Sequence, residues 1–313
     1  MVLTAFVFTS IAAAAHEPAT LEPAVSGAEL TPGESLRTVM MRRYTMSGRI
    51  RPLLFWYGRD NIGLARVVWR RGDNGARGYE LLVGTDPARA PRSLNRWGYI
   101  SEEVRGSEGA TLALMTRADD VSYEDAAASA TQGSNASDFR ALRSRIQNGS
   151  AVWQIANIRS PGALTVHDLD AALERVRDQT ATNAPNKTRI PARARPGFLV
   201  ALAELLDRSG QRPRDRLESD DPNVSRILYV FGQNIYELQL RESHPDMVML
   251  GGHAMRVVRS SFEIRTLSTG SRTRFEVTSG TEGALTRVPI AVEWQPRWWL
   301  KIELRLDPSQ FDG

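Results

Sequence analysis

The chain of 313 residues contains no cysteine. Thiol nucleophiles, thiolate zinc sites, iron–sulfur clusters and disulfide frameworks are therefore excluded. A chain of this length buries roughly three quarters of its unfolded surface and needs no covalent staple. Lysine is nearly absent as well: Lys187 and Lys301 are the only two, and arginine supplies the rest of the 40 basic residues against 36 acids. The net charge of +4 is mild, and acids are interspersed with the arginines, so no dense basic run marks a nucleic-acid surface. Gly-x-Ser-x-Gly, Ser-x-x-Lys, the phosphate-cradling Gly-x-x-x-x-Gly-Lys-Ser/Thr and the dinucleotide Gly-x-Gly-x-x-Gly are all missing. Elbow-type serine hydrolases and nucleotide-dependent enzymes are not expected, and no cofactor is.

What is present begins with an address. Residues 2–15 (VLTAFVFTSIAAAA) carry no charge and end in Ala13-Ala14-Ala15, the small-x-small pattern a signal peptidase requires. The run is too short to cross a bilayer of about 30 Å as a helix, and no later segment reaches the roughly eighteen apolar residues a span needs. Export is expected, with cleavage after Ala15 and a periplasmic or extracellular mature chain, although the basic stretch that usually precedes such a run is lacking. Residues 16–35, with Pro18, Pro23 and Pro32 and few large apolar groups, read as a flexible tether. The remainder, 36–313, reads as a single β-rich domain.

Period-two alternation is the main signal in that domain. Ala65, Val67 and Trp69 alternate with arginines, Gly72-Asp73-Asn74-Gly75 provides a reversal, and Tyr79, Leu81 and Val83 return, which predicts a hairpin over 64–84. Residues 85–99 read as a long loop, 111–117 and 152–158 as strands, and 119–138 as an Ala- and Ser-rich helix or linker. A threonine cap at Thr165 with Asp168 three residues on predicts a helix to about Asp178. A second helix starts at Pro196, with Phe198, Leu199, Leu202, Leu205 and Leu206 as its apolar stripe and Gly210 as its stop. Together they form a helical insertion at about 165–208. The last third alternates most regularly: Ile227 to Phe231, Tyr236 to Leu240, then strands at about 255–267, 272–278, 290–295 and 298–306. Such alternation belongs to antiparallel sheets with unlike faces.

The run Phe275 to Asp307 (FEVTSGTEGALTRVPIAVEWQPRWWLKIELRLD) resembles the end of an uncharacterised family of exported bacterial proteins whose closing strands form a curved antiparallel sheet. In architecture alone, export, long amphipathic strands and two covering helices also resemble the periplasmic lipoprotein and lipid carriers, which hold acyl chains between a half-open barrel and a helical lid. No motif of those carriers matches residue by residue, so the resemblance implies a fold class and no binding residue. The expected fold is α+β and mainly antiparallel β: a curved sheet or half-open barrel with two helices packed as a lid.

The function expected from these features is non-enzymatic binding of an apolar or lipid-like ligand, or of an envelope component, in the cell envelope. The inward set would be Tyr236, Leu238, Leu240, Val292, Trp294, Trp298 and Leu300, with Arg89, Arg92 and Arg96 of the 85–99 loop near an acidic head group. Two rivals stay open. An exported hydrolase of cell-wall or extracellular polymer would use carboxylates, or a metal held by Glu242, His244, Asp246 and His253, although Glu-Ser-His-Pro-Asp reads better as a polar turn. A structural or interaction module would present an exposed sheet edge or patch instead.

Overall fold

The computed structural model describes residues 36–51, 56–116, 138–160, 162–180, 185–210, 225–297 and 300–310. The expected export segment at 1–15, the tether at 16–35, nearly all of the Ala- and Ser-rich stretch at 119–138, and Trp298 lie outside the described residues. The chain first lays down β1 (Arg37–Ile50), β2 (Tyr57–Arg71), β3 (Arg77–Thr85), β4 (Trp97–Arg105), β5 (Glu108–Thr116), β6 (Asp138–Gln147), β7 (Ser150–Arg159) and β8 (Asn186–Arg189). Helix α1 (Leu169–Thr180) lies between β7 and β8, and α2 (Phe198–Gly210) follows β8. Six strands complete the chain: β9 (Arg226–Phe231), β10 (Asn234–Leu250), β11 (His253–Thr266), β12 (Arg272–Gly280), β13 (Pro289–Arg297) and β14 (Leu300–Leu306).

All fourteen strands join one sheet in the order β8-β7-β6-β5-β4-β3-β2-β1-β14-β13-β12-β11-β10-β9, every named pair antiparallel. Every junction joins strands consecutive in the chain except that of β1 with β14, and the consecutive strands β8 and β9 do not pair. Tight turns set the register. Between β6 and β7, Asn148 and Gly149 both take positive φ, 51° and 70°, in a two-residue loop closed by Gln147 and Ser150, as a right-twisted hairpin requires.

The sheet is open, with β8 and β9 as its edges, and it curls around α2. On β4 to β7 neighbouring side chains part to opposite faces. Trp97, Tyr99, Leu114, Phe139, Ala141, Ala156 and Ile158 pack with α1. Ile100, Ala113, Met115, Leu142 and Ile155 pack with α2. The far limb of the sheet meets α2 too, through Tyr229, Tyr236, Leu238, Phe275 and Trp294. Thus α2 lies in the concavity and α1 on the convex side. The sequence places both helices together as one cover; the structure puts them on opposite faces of the sheet. At the open seam, the chain leaving β8 reaches β9: Arg195 N donates to Leu228 O at 2.7 Å, and Val230 N donates to Arg195 O at 2.9 Å.

Three strands differ from the sequence reading. Residues 97–105 form β4 rather than the end of a loop, 138–147 form β6, and 186–189 form β8 within a stretch that reads as linker. On β4 and β6 both faces carry buried side chains, one set under each helix, so the polar half of the alternation is lost. The run Glu242 to Asp246 is not a turn but the middle of β10. Pro245 is tolerated there because β9 pairs with β10 only as far as Gln239, which leaves that edge of β10 without a partner strand needing an N–H.

Candidate functional site

The site grows from α2. Its amino end is fixed from β4, where Glu102, wholly buried, accepts hydrogen bonds from the amides of Phe198 (2.8 Å) and Val200 (3.0 Å). A carboxyl at this place satisfies two of the amides that a helix leaves free and faces the positive end of its dipole. Burial nonetheless pushes the Glu102 carboxyl up to about 8, against the pull of those amides. Gly197 makes the approach possible: its φ is +148°, and a Cβ there would fall 2.2 Å from Glu102 Oε2. Phe198 then inserts between Tyr229 and Phe275, at ring separations of 5.7 and 6.3 Å. Farther along, Glu204 takes Arg195 at 2.9 Å, which ties the helix to the chain at the seam.

With one side of α2 packed on β9 and β10, its other side leaves a cavity of about 140 Å³. Phe198, Leu199, Leu202, Ala203 and Leu206 form one wall. Val67, Trp69, Tyr79, Leu81 and Val83 of β2 and β3 form a second, and Phe275, Val277, Val292, Trp294 and Leu304 of β12–β14 a third. Glu80 is the only carboxylate among the lining residues, and it is paired with Arg70 at 2.6 Å. The site offers van der Waals surface and shape, with little to orient a polar group.

The expected ligand-binding residues divide. Tyr236, Leu238 and Leu240 are buried on the concave face, where they pack with α2 and with one another's neighbours; Tyr236 stacks on Tyr229 at 5.1 Å. The helix fills the trough at that point. Val292 and Trp294 line the cavity. Leu300 starts β14 and packs in the cluster around Ile302 and Leu304, beside the cavity and not in its wall. Arg89, Arg92 and Arg96 lie in the β3–β4 loop, which meets the start of α1: Asn95 Nδ2 and Trp97 Nε1 both donate to Leu164 O at 2.9 Å. Arg89 faces Asp86 at 3.4 Å, Arg92 has φ of 54°, and Arg96 accepts at its carbonyl from Thr85 N while its own amide donates to Thr85 Oγ1. None of the three borders the cavity.

Glu242 and His244 border a polar pocket of about 160 Å³ with Arg241, Arg259, Ser261, Arg274 and Glu276. Asp246 is taken by Arg259 at 3.0 Å, which holds its carboxyl below the usual range together with the amide of Met247, the larger influence. His253 sits opposite Leu250, six positions along β10 from His244, which in an extended strand is about 20 Å. Among the described residues no group of three His, Asp or Glu side chains is placed to hold a metal ion.

Sequence reasoning missed Glu102 and Gly197. Glu102 stands in a Glu-Glu pair that reads as solvated, and its partners lie 96 and 98 residues away. The Arg-Pro-Gly before the helix is the one local hint, since a glycine directly ahead of a helix permits a close approach.

No protein-family model matches the chain, and no curated protein matches it. Among solved structures, the crystal structure of a β-barrel-like protein of the domain of unknown function DUF1849 from Brucella abortus is similar at 8% identity and a TM-score of 0.38. The match covers 87% of this chain and 98% of that one. At this level of likeness no residue, ligand or activity passes from one to the other.

Proposed function

We propose that the protein is an exported, non-enzymatic binding protein of the cell envelope that takes an apolar group into the cavity beside α2. The observation that carries this reading is the apolar lining of that cavity. An apolar group that buries its surface against this lining gains roughly 25 cal/mol per Å² removed from water. Apolar cavities near 150 Å³ stay dry and admit a benzene-sized molecule, so the cavity as it stands suits one ring or a few methylenes. A longer acyl chain requires α2 to shift, with the Glu102 attachment acting as its pivot. Export is supported by the uncharged residues 2–15.

Toluene, a single ring, tests the reading by titration calorimetry. Its binding is expected to saturate with the purified protein and to be weakened about tenfold or more by Ala203→Phe, which fills the cavity from the helix side. The probe is also expected to raise the thermal midpoint of the wild type by mass action. No binding by the wild type, or undiminished binding by the filled variant, overturns the proposal.

A further inference from the structure

The cavity beside α2 is not closed alike at its two ends. Val83, Ile100, Phe275 and Trp294 of its wall are buried, whereas Trp69, Tyr79, Ala203 and Pro289 are only half-buried. Trp69 pairs with Tyr79 close to the last pair of the β2–β3 hairpin, Arg71 with Arg77, and Pro289 opens β13 just after the β12–β13 loop. The pairings of β1 with β2 and β14, and of β14 with β13, bring these two connections to the same end of the sheet. Charged side chains gather there. Asp207 follows Leu206 of the helix wall, Arg287 stands two residues before Pro289, and the two meet at 3.2 Å with 51% and 40% of their side chains exposed. Tyr79 feels both signs: burial pushes its hydroxyl up, Arg77 beside it draws it back, and Asp207 and then Glu204 push it up again. Arg37, Arg71 and Arg77 stand directly opposite one another on β1, β2 and β3. The acids of this end are engaged elsewhere: Asp73 faces Arg37 at 3.9 Å, Glu282 faces Arg256 at 3.1 Å, Glu204 lies between Arg195 and Arg208, and Asp307 takes the Ser309 amide. Glu103 and, opposite Arg105, Glu108 alternate with Glu102 and so point to the face that carries α1. Among the described residues no carboxylate pairs with Arg71 or Arg77.

We propose that this rim is a head-group subsite, and that the ligand of the cavity is an amphiphilic carboxylate whose ring or short chain lies within while its acid group is met by Arg287 and Arg77. The assignment rests on the apolar cavity being a binding site. An ion pair as exposed as Asp207 with Arg287 contributes little, so a second carboxylate displaces Asp207 into water at small cost. The guanidinium fork matches a carboxylate in shape and in charge. Like charges directly opposite one another across strands repel, and an anion beside Arg71 and Arg77 relieves that repulsion. A cationic ligand is a poor occupant, because Asp207 and Glu204 already hold arginines and Arg71 and Arg77 would repel it.

Titration calorimetry of the purified full chain at neutral pH compares toluene with 3-phenylpropionate, its neutral amide and 3-phenylpropylamine. The acid is expected to bind about tenfold more tightly than the amide, by a margin that shrinks as salt is raised. Arg287→Gln combined with Arg77→Gln is expected to remove the margin, and Arg77→Gln alone, at an exposed position, to cut it about threefold, both with toluene binding unchanged. Asp207→Asn takes away the competing carboxylate and is expected to tighten the acid about threefold. A residue that served only to hold α2 would instead weaken all four compounds. Toluene binding and thermal unfolding verify that each variant keeps its fold and its cavity. Toluene bound with no preference for the acid over the amide, or a preference for the amine, overturns the subsite and leaves the cavity reading standing. An acid margin that survives the double arginine variant also overturns it. No binding of any of the four overturns both.

Discussion

At the scale of single residues, the Glu102–Gly197 junction governs how α2 is held. The folded-state value for Glu102, about 8, lies above its ordinary 4.5, so the folded protein binds this proton more tightly than the unfolded chain does. Its contribution to stability is complete below about pH 4.5 and is lost as the pH climbs through about 8. Urea midpoints measured across that window are expected to fall with rising pH in the wild type. In Glu102→Gln, which carries no charge at any pH, the decline is expected to flatten, and a wild-type midpoint that climbs over the same window contradicts the assignment. Gly197→Ala adds a clash with a buried carboxyl to an unfavourable φ. A loss of about 2 kcal/mol or more in the same measurement is expected.

At the scale of elements, the two helices divide the core. Leu205 of α2 is fully buried within the curl of the sheet, where neighbours from both limbs limit collapse. Leu205→Ala is expected to cost about 2–5 kcal/mol, read by denaturant unfolding; a loss below 1 kcal/mol would mean that α2 does not hold this place. The stripe from Phe198 to Leu206 was legible as an apolar helix face, and the hairpins at 64–84 and 226–241 were legible because one face of each strand is wet and their turns contain glycine. What encloses the stripe was not legible: a one-sided helix in a sequence looks the same whether it covers a sheet or lies inside one. β4 was lost for a related reason, since Trp97, Tyr99 and Ile100 are buried on alternate sides and the period vanishes. β6 had a usable signal in Asn148-Gly149, which marks a tight reversal between two strands. In β10, a bulge after Leu240 and the proline at 245 broke an alternation that the backbone nevertheless carries through as strand.

At the scale of the whole molecule, the concave face was legible and its contents were not. Tyr236, Leu238, Val292 and Trp294 do point to one side, but most of the space they enclose is occupied by α2, and about 140 Å³ remains. Period-two patterns specify a side and leave open what fills it, because that depends on a segment dozens of residues away.

The meeting of β1 with β14 has one more consequence. Every other junction in the sheet joins consecutive strands, and Asp307 N donates to Arg43 O, so the last described strand ends alongside the first. A permuted gene that fuses those two ends and begins instead between α2 and β9 would encode an uninterrupted meander, β9 through β14 and then β1 through β8. The natural order divides that meander into two blocks whose internal pairings are local, and only the central zipper between them requires distant parts of the polypeptide to find each other.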